Sequence, residues 1–198
     1  YSGGTSRATV DEAITLKALR RMARVLKLNH AKKKRRILDS SPNYDTAAIE
    51  AAYCVFVSTD AEPDIRDLAG FTPIAKYAQR KPISEEELGS VEEFRFLTSP
   101  ELTAYADSGA AIGTTGLYST SGTSIDVYPF MVMGEDAVYD VALRGMESFD
   151  MIHLPHNMQS KSDPLKQRGY VGAKFWSAVL IVNGGWMGVI EAGVTTQT

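Results

Sequence analysis

A mixed fold, one long helix followed by a succession of strands, is what this sequence predicts, and three observations carry it. A capped amphipathic stretch opens the chain, apolar runs of strand character fill its middle, and an Asn-Gly pair near the end separates two further strand-like runs. The 198 residues, 44% of them apolar, suffice for one large domain or two small ones sharing a core.

The helix comes first. Thr9-Val10-Asp11-Glu12 has the form of a capping box, in which the Thr9 hydroxyl and the Glu12 carboxylate satisfy each other's backbone N–H groups. Ile14, Ala18, Met22, Val25 and Leu26 recur at helical spacing, joined by Leu19 and Ala23, which predicts a helix of roughly 20 residues, about 30 Å long. A helix of that length reads as a spine. Further on, Tyr53-Cys54-Val55-Phe56-Val57 is apolar on both faces, as a central strand covered on each side must be. Asp60 is placed to cap a short helix through Leu68, with Gly70 as its stop, and Ser84-Glu85-Glu86-Glu87 opens a brief turn. Phe94 to Leu97 and Tyr128 to Met133 read as strands, Pro129 suggesting an edge or a bulge. Phe175 to Val182, Asn183-Gly184 and Trp186 to Glu191 spell a hairpin, because Asn-Gly supplies the positive φ of a tight turn. Two stretches read as loops. In Asp107 to Ser124, 14 of 18 residues are Gly, Ala, Ser or Thr, too few apolar anchors to order a core, and a mobile surface loop is expected; Pro155 to Gly169 is the other.

The net charge of −3 hides an asymmetry. Residues 1–36 hold eleven Lys and Arg against two acids, a net of +9, whereas the remaining 162 hold ten against twenty-two, a net of −12. Lys17, Arg20, Arg21, Arg24 and Lys27 lie along the helix and Lys32, Lys33, Lys34, Arg35 and Arg36 follow it, with no acid interleaved. Charge runs are usually solvated. A face of one sign over this length lacks the opposite-charge i, i+4 pairs that support an isolated helix, so it calls for an outside partner, nucleic acid or an acidic surface.

The residues that ordinarily carry chemistry do not assemble into a site. Cys54, the single cysteine, lies in a buried-looking strand with no basic neighbour in sequence and reads as core. His153 and His156 are separated by Pro155, which prevents helical alignment of a metal pair, and His30 ends the basic helix, where a solvated role is the default. Asp60-x-Glu62-x-Asp64 imitates a calcium loop but has Ile65 where the glycine belongs and Phe71 in place of the bidentate glutamate. Gly109, Gly113 and Gly116 lack dinucleotide spacing and a following Lys-Ser/Thr. Neither an enzyme nor a bound cofactor or metal is expected. The longest apolar run, Phe175 to Val182, is too short to cross a bilayer, nothing reads as a signal peptide, and one cysteine suits a reducing cytoplasm. The chain begins at Tyr1 rather than Met, which points to a leading segment outside it.

Ser162-Asp163-Pro164-Leu165-Lys166-Gln167-Arg168-Gly169-Tyr170-Val171-Gly172, then Lys174-Phe175 and the run Trp186-Met187-Gly188-Val189-Ile190-Glu191, resembles the C-terminal signature of the major capsid proteins of short-tailed bacteriophages. Tyr53 to Val57, Asp60 to Ala69, Ile74-Ala75-Lys76-Tyr77, Gly134-Glu135-Asp136-Ala137 and Val141-Ala142-Leu143 are similar to further segments of that family in the same order, covering most of residues 45–193. The family's N-terminal arm and extended loop have no counterpart here, nor do His153 to His156 and the loop at 107–124 match it. The resemblance implies an α+β fold of the Hong Kong 97 type: a long spine helix and basic segment in a peripheral domain over residues 1–44, a mainly axial domain with a mixed sheet over 45–150, and a loop and hairpin returning to the sheet over 151–198. It implies a structural subunit of an icosahedral virion shell, self-assembled in the host bacterial cytoplasm as hexamers and pentamers. Its partners would be scaffolding, portal and decoration proteins and packaged double-stranded DNA held by non-specific electrostatics, with no membrane. A nanocompartment shell protein of the same fold and a DNA-binding protein using the basic helix are the alternatives.

Overall fold

The computed structural model describes residues 1–38, 46–77, 81–113, 116–141, 149–155, 165, 167 and 169–196, with backbone alone for residues 37, 38 and 46–49. It divides into two units, one of residues 1–137 with 183–198 and one of residues 138–182.

The first unit is a mixed sheet with one helix against it. Its strands are β1 (Lys34–Leu38), β2 (Thr46–Ser58), β3 (Thr72–Pro73), β4 (Glu87–Val91), β5 (Phe94–Ser99) and β6 (Tyr128–Met133), together with the last strand of the chain, Met187–Ala192. The order runs from that last strand through β6, β2, β5 and β4 to β3, with β1 also paired to β2. Only β2 and β5 run parallel; the other pairings are antiparallel. Tyr53, Val55 and Val57 are buried on β2, between Phe94 and Phe96 of β5 and Phe130 and Val132 of β6, as the apolar run predicts for a central strand. Pro129 is tolerated inside the sheet because the β2–β6 ladder covers only Met131 to Met133, so no donor is required at 129.

The helix is shorter than the sequence suggests. Helix α1 spans Leu16–Leu28, 13 residues, or about 20 Å. Its cap is Thr15, whose hydroxyl accepts from the Ala18 N–H at 3.3 Å. The Thr9 box does not form: Thr9 Oγ1 accepts from the Thr5 and Ser6 N–H groups, each at 3.0 Å, and donates to Ser6 O, closing a 3-10 turn over Arg7–Thr9. Residues 10–14 then run as irregular backbone with a bend at Glu12, Ala13 bridged to Gly193 and Gly193 N–H donating to Glu12 O. Val10 and Ile14 are buried from this irregular segment, so the helical spacing misleads at Ile14. Leu19, Ala23 and Leu26 bury the inner face of α1 on the sheet, each leucine contributing roughly 1.5–3 kcal/mol.

A second helix, α2 (Glu62–Arg66), has five residues and follows a 3-10 turn capped by Ser58 rather than Asp60; Gly70 takes the left-handed φ of +84° expected of the stop. Two α-helices against eleven strands among the described residues make this a mostly-β protein. The long-spine α+β architecture of the Hong Kong 97 type is overturned. The segment meant to lengthen the spine is a 3-10 turn followed by irregular backbone, and the basic residues Lys34, Arg35 and Arg36 lie in a strand.

The second unit holds β7 (Val138–Asp140), β8 (Phe149–Leu154), β9 (Tyr170–Phe175) and β10 (Val179–Ile181), paired antiparallel as β7 with β10 and β8 with β9. The closing strand of the first unit is β11 (Met187–Ala192), which pairs with β6. The expected hairpin across Asn183-Gly184 is therefore absent, since β10 and β11 each pair elsewhere. Asn183 is extended at φ −144°, its side chain accepts from Gly185 N–H at 2.9 Å, and Gly184 opens a 3-10 turn without a positive φ. Trp186 fixes that turn by donating its indole N–H to Asn29 O at 3.0 Å.

Asp107 to Ser124 is irregular, as read, but tied down at its described residues. Ala110 N–H donates to Val10 O, Tyr118 N–H to Val194 O, Thr196 N–H to Gly116 O, and Leu117 is buried. The buried Asp126 carboxylate accepts from Asp107 N–H at 2.8 Å, Thr120 N–H at 3.1 Å and the Thr120 hydroxyl at 2.5 Å. Polar tethers replace the apolar anchors that the composition lacks. Residues 114 and 115 of this loop, His156, most of Pro155 to Gly169, and Ala142 and Leu143 lie outside the described residues.

Candidate functional site: a basic helix face and the cavity beside it

The basic helix sorts its cations into two sets. β4 and β5 are joined by a two-residue turn, Glu92-Glu93, that faces α1. Glu92 is at φ +50°, in the left-handed region, and its Oε1 accepts from Arg20 Nε at 3.0 Å and Nη2 at 2.5 Å. Glu93 accepts from Lys27 Nζ and lies 3.2 Å from Lys33 Nζ. Partial burial works to raise the Glu93 pKa, but hydrogen bonds and charge from Lys27 and Lys33 outweigh it and hold the carboxyl below its ordinary value. Half of the expected outside partner is thus inside the chain. Among the described residues no carboxylate pairs with Lys17, Arg21 or Arg24.

The basic run after the helix is built into the sheet. Lys34 and Arg36 register with Ala52 and Ala48 of β2, with a bulge between them. Lys32 bridges to Glu135, whose N–H donates to Lys32 O at 2.8 Å. Tyr53 donates its hydroxyl to Ala31 O at 3.2 Å, and Ala31 N–H donates to Leu26 O. Residues 31–33 are therefore held from three sides. Beside them opens a cavity of about 580 Å³ lined by Lys27, Ala31, Lys32, Lys33, Arg35, Tyr53 and Glu135. Lys27 also lines a neighbouring hollow of about 430 Å³ with Arg20 and Arg24. Of the other residues singled out in sequence, Asn183 and Gly184 lie in the 3-10 turn and contribute nothing to this surface.

The remaining chemistry-bearing groups stay apart. Cys54 is buried on β2, and burial pushes its thiol up, away from the reactive thiolate. Asp60 accepts from Tyr128 OH, Glu62 pairs with Arg66, and Asp64 accepts from Thr195 N–H, so the three acids do not converge. Among the described residues no group of three His, Cys, Asp or Glu is placed to hold a metal ion. A buried polar cluster joins Tyr77, Glu87 and Arg95: Tyr77 OH donates to Glu87 Oε1 at 2.7 Å, and Arg95 Nη1 donates to Lys81 O at 2.9 Å. It lies inside the core, with Glu87 on β4, Arg95 on β5 and Tyr77 closing the 3-10 turn Ile74–Lys76, and reads as structural. Burial, with Glu87 beside it, pushes the Tyr77 phenol up to about 12.

No family model and no curated protein matches the chain. Sequence reasoning missed Glu92, Glu93 and Glu135 as parts of this surface. The first two had a usable signal, an acidic pair directly before the strand run Phe94 to Leu97, while the approach of Glu135 to Lys32 depends on a contact about a hundred residues apart. No helix among the described residues is long and apolar enough to cross a membrane.

Proposed function

We propose that the chain is a structural subunit that assembles with copies of itself into a closed shell around double-stranded DNA, as the sequence resemblance implies. The proposal does not need the spine-helix architecture. One observation supports it above the rest: between Val138 and Val182 no described residue is buried. Phe149, Met151, Val171, Phe175 and Val179 are 51–75% exposed, and Ile152, Tyr170, Leu180 and Ile181 are exposed with them. Two-stranded ribbons are marginal in water, and a contiguous apolar surface of this kind marks a contact with other protein. Phe149 lies opposite Phe175 and Met151 opposite Ala173, so one face of the β8–β9 ribbon is apolar from end to end apart from His153. A shell of identical copies supplies such cover at fixed stoichiometry, and many modest contacts sum to a stable container. The unneutralised cations of α1 fit the same reading, as a surface that meets packaged DNA without reading its sequence.

Negative-stain imaging and light scattering of the full-length protein, with scaffolding supplied, test the proposal. Closed particles of uniform size are expected, and V171D with F175D should abolish them while leaving the near-ultraviolet signal of the first unit in place. Monomer or dimer alone would refute it.

A further inference from the structure

The cavity beside residues 31–33 has a charge balance that the rest of the molecule does not explain. Lys27, Lys32, Lys33 and Arg35 line it against one acid, Glu135. Glu93 engages Lys27 and Lys33 from outside the lining. Four cations against two carboxylates leave an excess of two, and Lys32 and Arg35, both exposed, pair with no described carboxylate. The backbone that carries them is fixed by the Glu135–Lys32 bridge, by Tyr53 on Ala31 O, and by Gly134, where an added Cβ would stand 3.0 Å from Lys32 O. Cations carried on a hydrogen-bonded concave backbone, with Lys33 Nζ 5.7 Å from the centre of the Tyr53 ring, concentrate positive potential, and a ligand need order only the side chains.

We infer that this cavity binds a phosphate oxyanion, and that its source is the backbone of a nucleic acid. The inference rests on the reading that the basic end of the chain meets DNA; it does not rest on shell formation. Lys32 and Arg35 would supply charge-assisted hydrogen bonds, with Lys33 shared between the ligand and Glu93. A polymer is favoured over a single ion because the positive surface continues. Lys27 belongs to both this cavity and the hollow containing Arg24, and Arg24, Arg21 and Lys17 follow up the helix at rises of about 4.5 and 6 Å, so the positive charge runs on for several turns. Tyr53 is buried and its hydroxyl is taken by Ala31 O, so no ring is offered for stacking a base. Binding should therefore be blind to sequence.

Fluorescence anisotropy of the full chain with a labelled 20-base-pair duplex of random sequence, across roughly 50–200 mM salt, tests this. K32Q with R35Q should lower affinity at low salt by tenfold or more and reduce the log–log salt slope by about two, at ~0.9 per phosphate contact. E135Q should do the opposite and tighten binding, a gain that a merely structural role would not produce. R66Q, which alters a cation paired with Glu62 on α2, should change nothing. Equal slopes for wild type and K32Q/R35Q would overturn the inference. Competition by millimolar pyrophosphate together with an unchanged DNA slope would overturn the nucleic-acid source. Particle imaging of the same preparations keeps the two proposals apart: normal shells with a lost slope support the cavity, and an intact slope without shells removes the shell reading alone.

Discussion

Glu93 holds two cations at once, one from α1 and one from the segment after it, and so fastens the helix to the β4–β5 turn. Its carboxyl is held below its ordinary value, so the pair contributes stability above the unfolded carboxylate pKa, about 4.3, and loses it as pH falls through the folded value. E93Q should thus lower the urea midpoint at pH 7, and the gap from wild type should close as the pH falls below the ordinary carboxylate range. A gap that persists in acid would assign the effect to packing instead. Asp126 works differently, as one buried carboxylate that gathers three donors from the irregular segment. D126A strands those donors, and a loss on the order of 3 kcal/mol is expected, read from chemical denaturation, with faster amide exchange at Asp107 and Thr120. Unchanged exchange at those two amides would show that other contacts hold the loop.

At the level of elements, the Asn183-Gly184 pair is the instructive error. The dipeptide has the chemistry of a tight turn, yet Gly184 has no positive φ and no atom within 4 Å of an added Cβ. G184A should therefore leave the melting temperature within about 2 °C of wild type, whereas a true type I′ hairpin would lose on the order of 1 kcal/mol. β2, β5 and β6 were legible because local composition decides a buried central strand, and Tyr53 to Val57 carries that composition itself. The start of α1 was not, because Ile14 satisfies helical spacing yet is buried from an irregular segment that hydrogen-bonds to Gly193, far along the chain. The pairing of β11 with β6 has the same origin. The cations of the candidate site were plain in sequence, but which of them stay unneutralised depended on the β4–β5 turn, a contact between residues 72 apart in the case of Arg20 and Glu92.

The molecule as a whole contrasts a well-filled sheet unit with one that has no interior among its described residues. That contrast was invisible in composition, because Val179 to Val182 are as apolar as any core strand and nothing local says what will cover them. The first unit also recruits its parts from distant stretches of chain. Arg7 forms a two-pronged pair with Glu191 on β11, at 2.7 Å for each bond and 184 residues away, and Ser2 N–H donates to Glu191 O. On the ribosome this separation becomes a delay. At about 5–20 residues per second the opening segment waits on the order of ten seconds or more before its partner strand is made. During that interval β6 lacks β11, leaving an open sheet edge, and the apolar stretches of the second unit emerge before that edge is closed. The nascent chain therefore exposes its aggregation-prone surfaces together and late, and its yield in the cell should depend on chaperones that hold the sheet open until residue 192 has cleared the exit tunnel.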